Sequence, residues 1–189
     1  DIPMEVQAWE PRYEPASYND DGVESQMPDV PRADETVVAI PGEPVDDPET
    51  VTAFRVLMEP WTSQSNGSAR CTIAEGGIPE VLHAHGIVSA RIARIDPHEA
   101  LDLLAWAGAS GGAHGKRRGL ATGRSNAWWF LATFAGMQED WPCDPDELGD
   151  VINGMTFAVW HDDQSPTDGW NLRLVMEDTD ESLACAVSA

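Results

Sequence analysis

From residue 51 onward, apolar positions fall into short blocks separated by turn-forming clusters. Residues 51–58 place Ala53, Val56 and Met58 around Arg55 and predict a strand. Residues 69–74 predict its hairpin partner across Ser65-Asn66-Gly67-Ser68, and Gly76, Gly77 and Pro79 end the pair. Residues 87–95, with Ile87, Val88, Ile92 and Ile95, predict a third strand, with helix as the alternative. Asp96-Pro97-His98-Glu99 then carries an N-cap, a first-turn proline and a capping-box glutamate. That helix runs through Leu104 and Trp106 and stops at Gly108 and Ser110-Gly111-Gly112. A second helix is predicted over 119–135, burying Leu120, Trp128, Leu131 and Phe134, and a third from Asp144-Pro145 to Ile152. Residues 156–161 and 170–177 predict two strands joined by a 164–169 loop, and residues 180–189 a terminal helix.

Grouped strands and grouped helices point to an α+β fold with a mostly antiparallel sheet and three to four helices. The repeated strand–helix alternation of a doubly wound nucleotide-binding fold is absent, and so is any internal repeat. The chain divides near residue 50. Residues 1–50 carry 8 of the 14 prolines and 14 acids against two bases, Arg12 and Arg32, a net charge of −12. Prolines remove backbone donors and like charges extend the chain, so this part reads as an extended acidic Pro-rich arm or linker, with one short strand near 36–40. Ile2, Met4, Val6, Trp9, Tyr13 and Tyr18 are the apolar residues with which an arm would grip the body. Residues 51–189 read as a single α+β domain.

Charge narrows the function classes. The 189 residues carry 33 acids and 11 Lys plus Arg, a net −22. That field opposes a large surface gripping nucleic acid phosphates or anionic lipid. No run of 18 apolar residues is present. Asp1 is not an initiator, so the chain reads as processed, trimmed or partly represented, and it contains no signal-peptide pattern. Cys71, Cys143 and Cys185 are sparse and lack CxxC spacing, which suits buried free thiols in the reducing cytoplasm.

Against this background residues 110–124 stand out. Four of the 11 bases, Lys116, Arg117, Arg118 and Arg124, lie within nine residues, among five glycines. Glycines let backbone amides approach an anion, a following helix N-terminus adds positive potential, and guanidinium groups bind phosphate or carboxylate bidentately. Gly112, His114, Lys116, Arg117, Arg118 and Arg124 are therefore the candidate ligand-binding set, and His114 is the candidate acid or base. The spacing is neither that of a P-loop nor that of a dinucleotide fingerprint. The competing reading pairs these arginines with the protein's own acids. His83-Ala-His85 would put two imidazoles on one face of a strand, but a zinc site needs three or four ligands, so no metal is assigned beyond these two candidates. No cofactor is implied.

The run from Leu104 through Trp106, Gly111-Gly112-Ala113-His114-Gly115, Lys116-Arg117-Arg118-Gly119, Gly123-Arg124 and Trp128-Trp129 resembles an uncharacterised actinobacterial family, a domain of unknown function. Asp144-Pro145-Asp146-Glu147-Leu148-Gly149 and Gly169-Trp170-Asn171-Leu172-Arg173-Leu174 are similar to its C-terminal region. The resemblance covers about residues 95–189 and implies an origin and a domain but no reaction. The chain as a whole reads as a non-catalytic binding or interaction module whose acidic arm meets a protein partner. The alternatives are a domain or enzyme holding a small anion at 110–124 and, last, an acidic mimic of nucleic acid.

Overall fold

Asp47, Asp96 and Asp144 each precede a proline, and each opens a helix. The computed structural model describes residues 2–13, 17–19, 22–24, 27–63, 67–110, 119–165 and 170–189. In it α1 spans Pro48–Leu57, α4 Pro97–Ser110 and α6 Pro145–Gly154. The Asp47 carboxylate accepts from Thr50 N at 2.9 Å, and Asp144 accepts from Asp146 N at 2.9 Å. Asp96 and Glu99 form the reciprocal box, Glu99 N donating to Asp96 at 2.8 Å and Asp96 N to Glu99 at 2.9 Å. The remaining helices are α2 (Glu59–Ser63), α3 (Ile78–Ala84) and α5 (Leu120–Phe134), so the described residues hold six α-helices rather than three or four.

The strands are β1 (Ser17–Asn19), β2 (Gly22–Glu24), β3 (Glu35–Val38), β4 (Pro44–Val45), β5 (Arg70–Glu75), β6 (Ser89–Ile95), β7 (Thr156–His161), β8 (Arg173–Asp178) and β9 (Leu183–Ser188). β1 and β2 pair with each other. The other seven form one antiparallel sheet in the order β3-β6-β7-β8-β9-β5-β4. The α+β class with an antiparallel sheet thus holds. Both edge strands come from the first fifty residues.

Three local expectations are corrected. Residues 51–57 are helical, because the Asp47-Pro48-Glu49 start sets a 3.6-residue period that buries Thr50, Ala53, Phe54 and Leu57 on one face. Residues 78–84 form α3 instead of the strand read beneath His83 and His85: Gly77 N donates to Glu80 at 3.0 Å and so closes the first turn. The terminal helix is instead β9. Its Ala184, Cys185, Ala186 and Val187 are all buried, since a central strand is covered on both faces and shows no polar alternation.

Two apolar layers flank the sheet. The larger lies against α1, α4, α5 and α6 and includes Phe54, Leu101, Trp128, Phe130, Phe157, Leu174 and Val187. Helices α4 and α5 cross closely because Gly108 and Gly123 face each other. A Cβ on Gly108 would lie 3.0 Å from Gly123 Cα, and one on Gly123 would overlap the Ala105 carbonyl oxygen. The smaller layer packs α3, through Ile78, Val81 and Leu82, on Ala90, Ala158, Val175, Ala184 and Ala186.

The sheet is strongly curled around α3. Edge strands β3 and β4 are six strand spacings apart, about 29 Å if flat. Yet only residues 39–43 join them, and six residue steps reach about 21 Å at most. The connection passes over α3, with Ile40 N donating to Pro79 O at 3.2 Å and Gly42 seated against Glu80. No side chain fits at Gly42, because a Cβ would meet Glu80 Cβ at 2.5 Å and the Glu80 backbone oxygen at 2.9 Å.

Candidate functional site

Of the candidate ligand set, Gly112, His114, Lys116, Arg117 and Arg118 lie outside the described residues. Arg124 lies within α5, one turn along from its start, and is buried. Its guanidinium binds the Glu10 carboxylate through Nε and Nη2 together, a bidentate pair. Nη1 donates to Pro3 O at 2.7 Å, and Nη2 also donates to Glu5 O at 3.1 Å. The cation sits 5.2 Å from the centre of the Trp128 ring. Arg124 is thus bound by the N-terminal segment of its own chain.

Glu10 is the centre of that arrangement. Besides Arg124, it accepts from Trp128 Nε1 at 2.9 Å, Tyr13 Oη at 2.8 Å and Gln7 N at 2.9 Å. Burial pushes its carboxyl up, but the hydrogen bonds from Arg124, Gln7, Trp128 and Tyr13 outweigh burial and hold it below the usual carboxylate range. Burial and then the Glu10 charge push the Tyr13 phenol upward. Trp9 anchors the same segment. Its ring lies 4.7 Å from Trp128, its Nε1 donates to Pro145 O at 2.9 Å, and it fills the space left by Gly149 on α6. Sequence reasoning noticed Trp9 and Tyr13 as gripping residues but missed Glu10, whose only signal was an acid set between two aromatic residues in an otherwise exposed acidic stretch.

His83 and His85 do not share a strand face. His83 lies in the last turn of α3 and is exposed, whereas His85 follows the helix and is buried. The two ring nitrogens of His85 share hydrogen bonds with Thr72 Oγ1 at 2.9 Å and Ser188 Oγ at 3.0 Å. Its ring meets Trp160 edge-on at 5.6 Å. Trp160 also carries the Arg173 guanidinium 4.7 Å from its ring centre, and Arg173 pairs with Asp162 at 3.2 Å. Burial first, then Arg70 and Arg173, push the His85 imidazole down to about 4, against a smaller opposing pull from Asp162.

A serine beside an imidazole is the geometry of a nucleophile and its base. Here the second imidazole nitrogen meets a hydroxyl rather than a carboxylate, and a base with a pKa of about 4 holds a serine proton poorly. The His85 cluster therefore ties α3 to β5 and β9 as neutral hydrogen bonds. Among the described residues no three His, Cys, Asp or Glu side chains gather as a metal site. No helix among them is long and apolar enough to cross a membrane. Cys71 and Cys185 bring their sulfurs to 3.6 Å as free thiols, and Cys143 is free and buried.

No curated protein and no solved structure matches this chain. One family model does, and it covers residues before 95 as well as the Gly/His/Arg run and the C-terminal region. With that model matching residues 1–183, the chain belongs to the family of unknown function (DUF6183).

Proposed function

We propose that this protein is a non-catalytic interaction module that takes up an extended basic segment of a protein partner alongside β3. The observation that carries this reading is the outer edge of β3, which pairs with β6 on one side and has no strand on the other among the described residues. Ala39 N donates to Val88 O at 3.0 Å, and the alternation of an antiparallel ladder then turns the amides of Thr36 and Val38 outward. Such an edge is a template for an added strand. Val38, Ile40 and Val88 give apolar contact beside it, at 65%, 46% and 81% exposure. Asp29 and Asp34 are exposed in the same stretch, beside Arg32, and favour a basic partner, while Glu35 pairs with Arg94 at 3.7 Å.

The test uses an eight-residue peptide of alternating lysine and valine as the probe. Titrated into the full chain, it should shift the Thr36 and Val38 amide resonances saturably. Thr36→Pro, which removes an outward donor and leaves the β3–β6 pairs in place, should weaken binding at least tenfold. An unchanged affinity in that variant, or shifts confined to residues away from β3, would overturn the reading.

A further inference from the structure

We infer that Cys71 and Cys185 form a two-thiol oxidation site, in which Cys71 takes oxygen from hydrogen peroxide and Cys185 converts the product into a disulfide joining β5 to β9. The site shares no residue with β3, so its test and that of the strand-edge reading succeed or fail separately.

Three observations carry the pair. The first is contact: the two sulfurs lie 3.6 Å apart, although the residues are 114 positions apart in the chain. In the β5–β9 ladder Cys71 stands opposite Val187 and Cys185 opposite Ile73, so the cysteines are diagonal neighbours. Both belong to the face that packs on the larger apolar layer. The second is unequal access. Cys185 is fully buried, whereas Cys71 is partly exposed. The sheet accounts for that difference. β4 pairs only with Ile73 and Ala74, so the outer side of residues 70–72 has no strand beside it among the described residues. The third is the state of the inner thiol. Burial first, then Cys71, push the Cys185 thiol well up, so it keeps its proton and can donate to the Cys71 sulfur.

This arrangement divides the chemistry between the two residues. An accessible sulfur reacts with peroxide, and a second thiol in contact with it halts further oxidation. The Cys71 thiolate attacks one peroxide oxygen. An S–O bond forms, the O–O bond breaks, and the other oxygen leaves as hydroxide, which takes up the proton released by Cys71. Cys71 is then a sulfenic acid, oxidised by two electrons. The Cys185 sulfur next attacks the Cys71 sulfur. The S–S bond forms, the S–O bond breaks, and the leaving hydroxide departs with the Cys185 proton as water. Two thiols and one peroxide thus give one disulfide and two waters. The sulfurs must close from 3.6 Å to about 2.0 Å, and the movement falls to Cys71, on the part of β5 that is held by a strand on one side only. Cys143, the third free cysteine, is buried just before α6 and is the internal control.

The full chain, reduced and then freed of reductant, is treated with hydrogen peroxide, and its intact mass and non-reducing peptide map are read. The mass should fall by two hydrogens, the map should link the peptides of Cys71 and Cys185, and Cys143 should remain the one free thiol of the three. Dithiothreitol should restore all three. With dimedone present, Cys185→Ala should accumulate an adduct at Cys71, and folded Cys71→Ala should show none at Cys185. The parent chain's map tests the bond whether or not either variant folds. Three retained thiols, a sulfinic acid at Cys71 beside a reduced Cys185, a disulfide between two chains or through Cys143, or a dimedone adduct at Cys185 in folded Cys71→Ala overturns the inference.

Discussion

Glu10 and Arg124, 114 positions apart, form a buried bidentate ion pair that ties the N-terminal segment to α5. Breaking one partner of such a pair strands the other charge away from water. Glu10→Ala should therefore destabilise the fold by about 3–5 kcal/mol, whereas replacing an exposed acid such as Asp29 should change stability by less than about 0.5 kcal/mol. Urea unfolding of the two variants checks this. Equal midpoints would show that the pair adds nothing.

The same carboxylate gives stability a pH dependence of known sign. Glu10 is held below its ordinary value of 4.5 in the folded chain, so the unfolded chain takes up its proton first as pH falls. Its contribution is fully present above that value and is lost as pH falls through the folded pKa. Glu10→Gln should show a shallower loss of stability below pH 4.5 than the parent chain.

His85 acts at higher pH. With its folded pKa near 4 against an ordinary 6.5, the unfolded state binds the extra proton between those limits. Stability should fall as pH is lowered from 6.5 toward 4, and His85→Gln should remove that slope. A proton-detected titration of the His85 ring with a midpoint near 6.5 would contradict the burial argument.

Glycine positions supply a steric test. Gly123→Ala puts a Cβ into the Ala105 carbonyl at the α4–α5 crossing, and should cost about 1–3 kcal/mol. Gly154→Ala, with open space around its Cβ, should be neutral or slightly stabilising. Thermal melts of the pair separate packing from helix propensity.

Thiol reactivity follows burial. Cys185 is buried, and its thiol is pushed well up by burial and by Cys71; burial also raises Cys143. Cys71 alone is partly accessible. In the native chain a maleimide should label Cys71 first and leave the other two unreacted until unfolding.

Much of the helical framework was legible in local chemistry. The Asp-Pro starts at 96 and 144 carry their caps within four residues, and both helices begin where that chemistry places them. The same signal stands unread at Asp47, beside an apolar pattern over 53–58 that reads as a strand although the two are compatible on a helix. Strand β9 was misread because Ala184 to Val187 show no period, and only their central position in the sheet explains why they are all buried. The union of Glu10 with Arg124 joins residues more than a hundred positions apart, and charge counting alone assigns no such partner. His83 and His85 looked alike in sequence and parted because the helix that carries them ends between them.

The sheet order makes one strand the join between two parts of the sheet. β9 lies between β8 and β5 but follows every other element in chain order. Without it, β5 has only the two-residue strand β4 beside it, and β8 presents a bare edge. Without β9 the sheet falls into two parts, β3-β6-β7-β8 and β5-β4, each with an open edge.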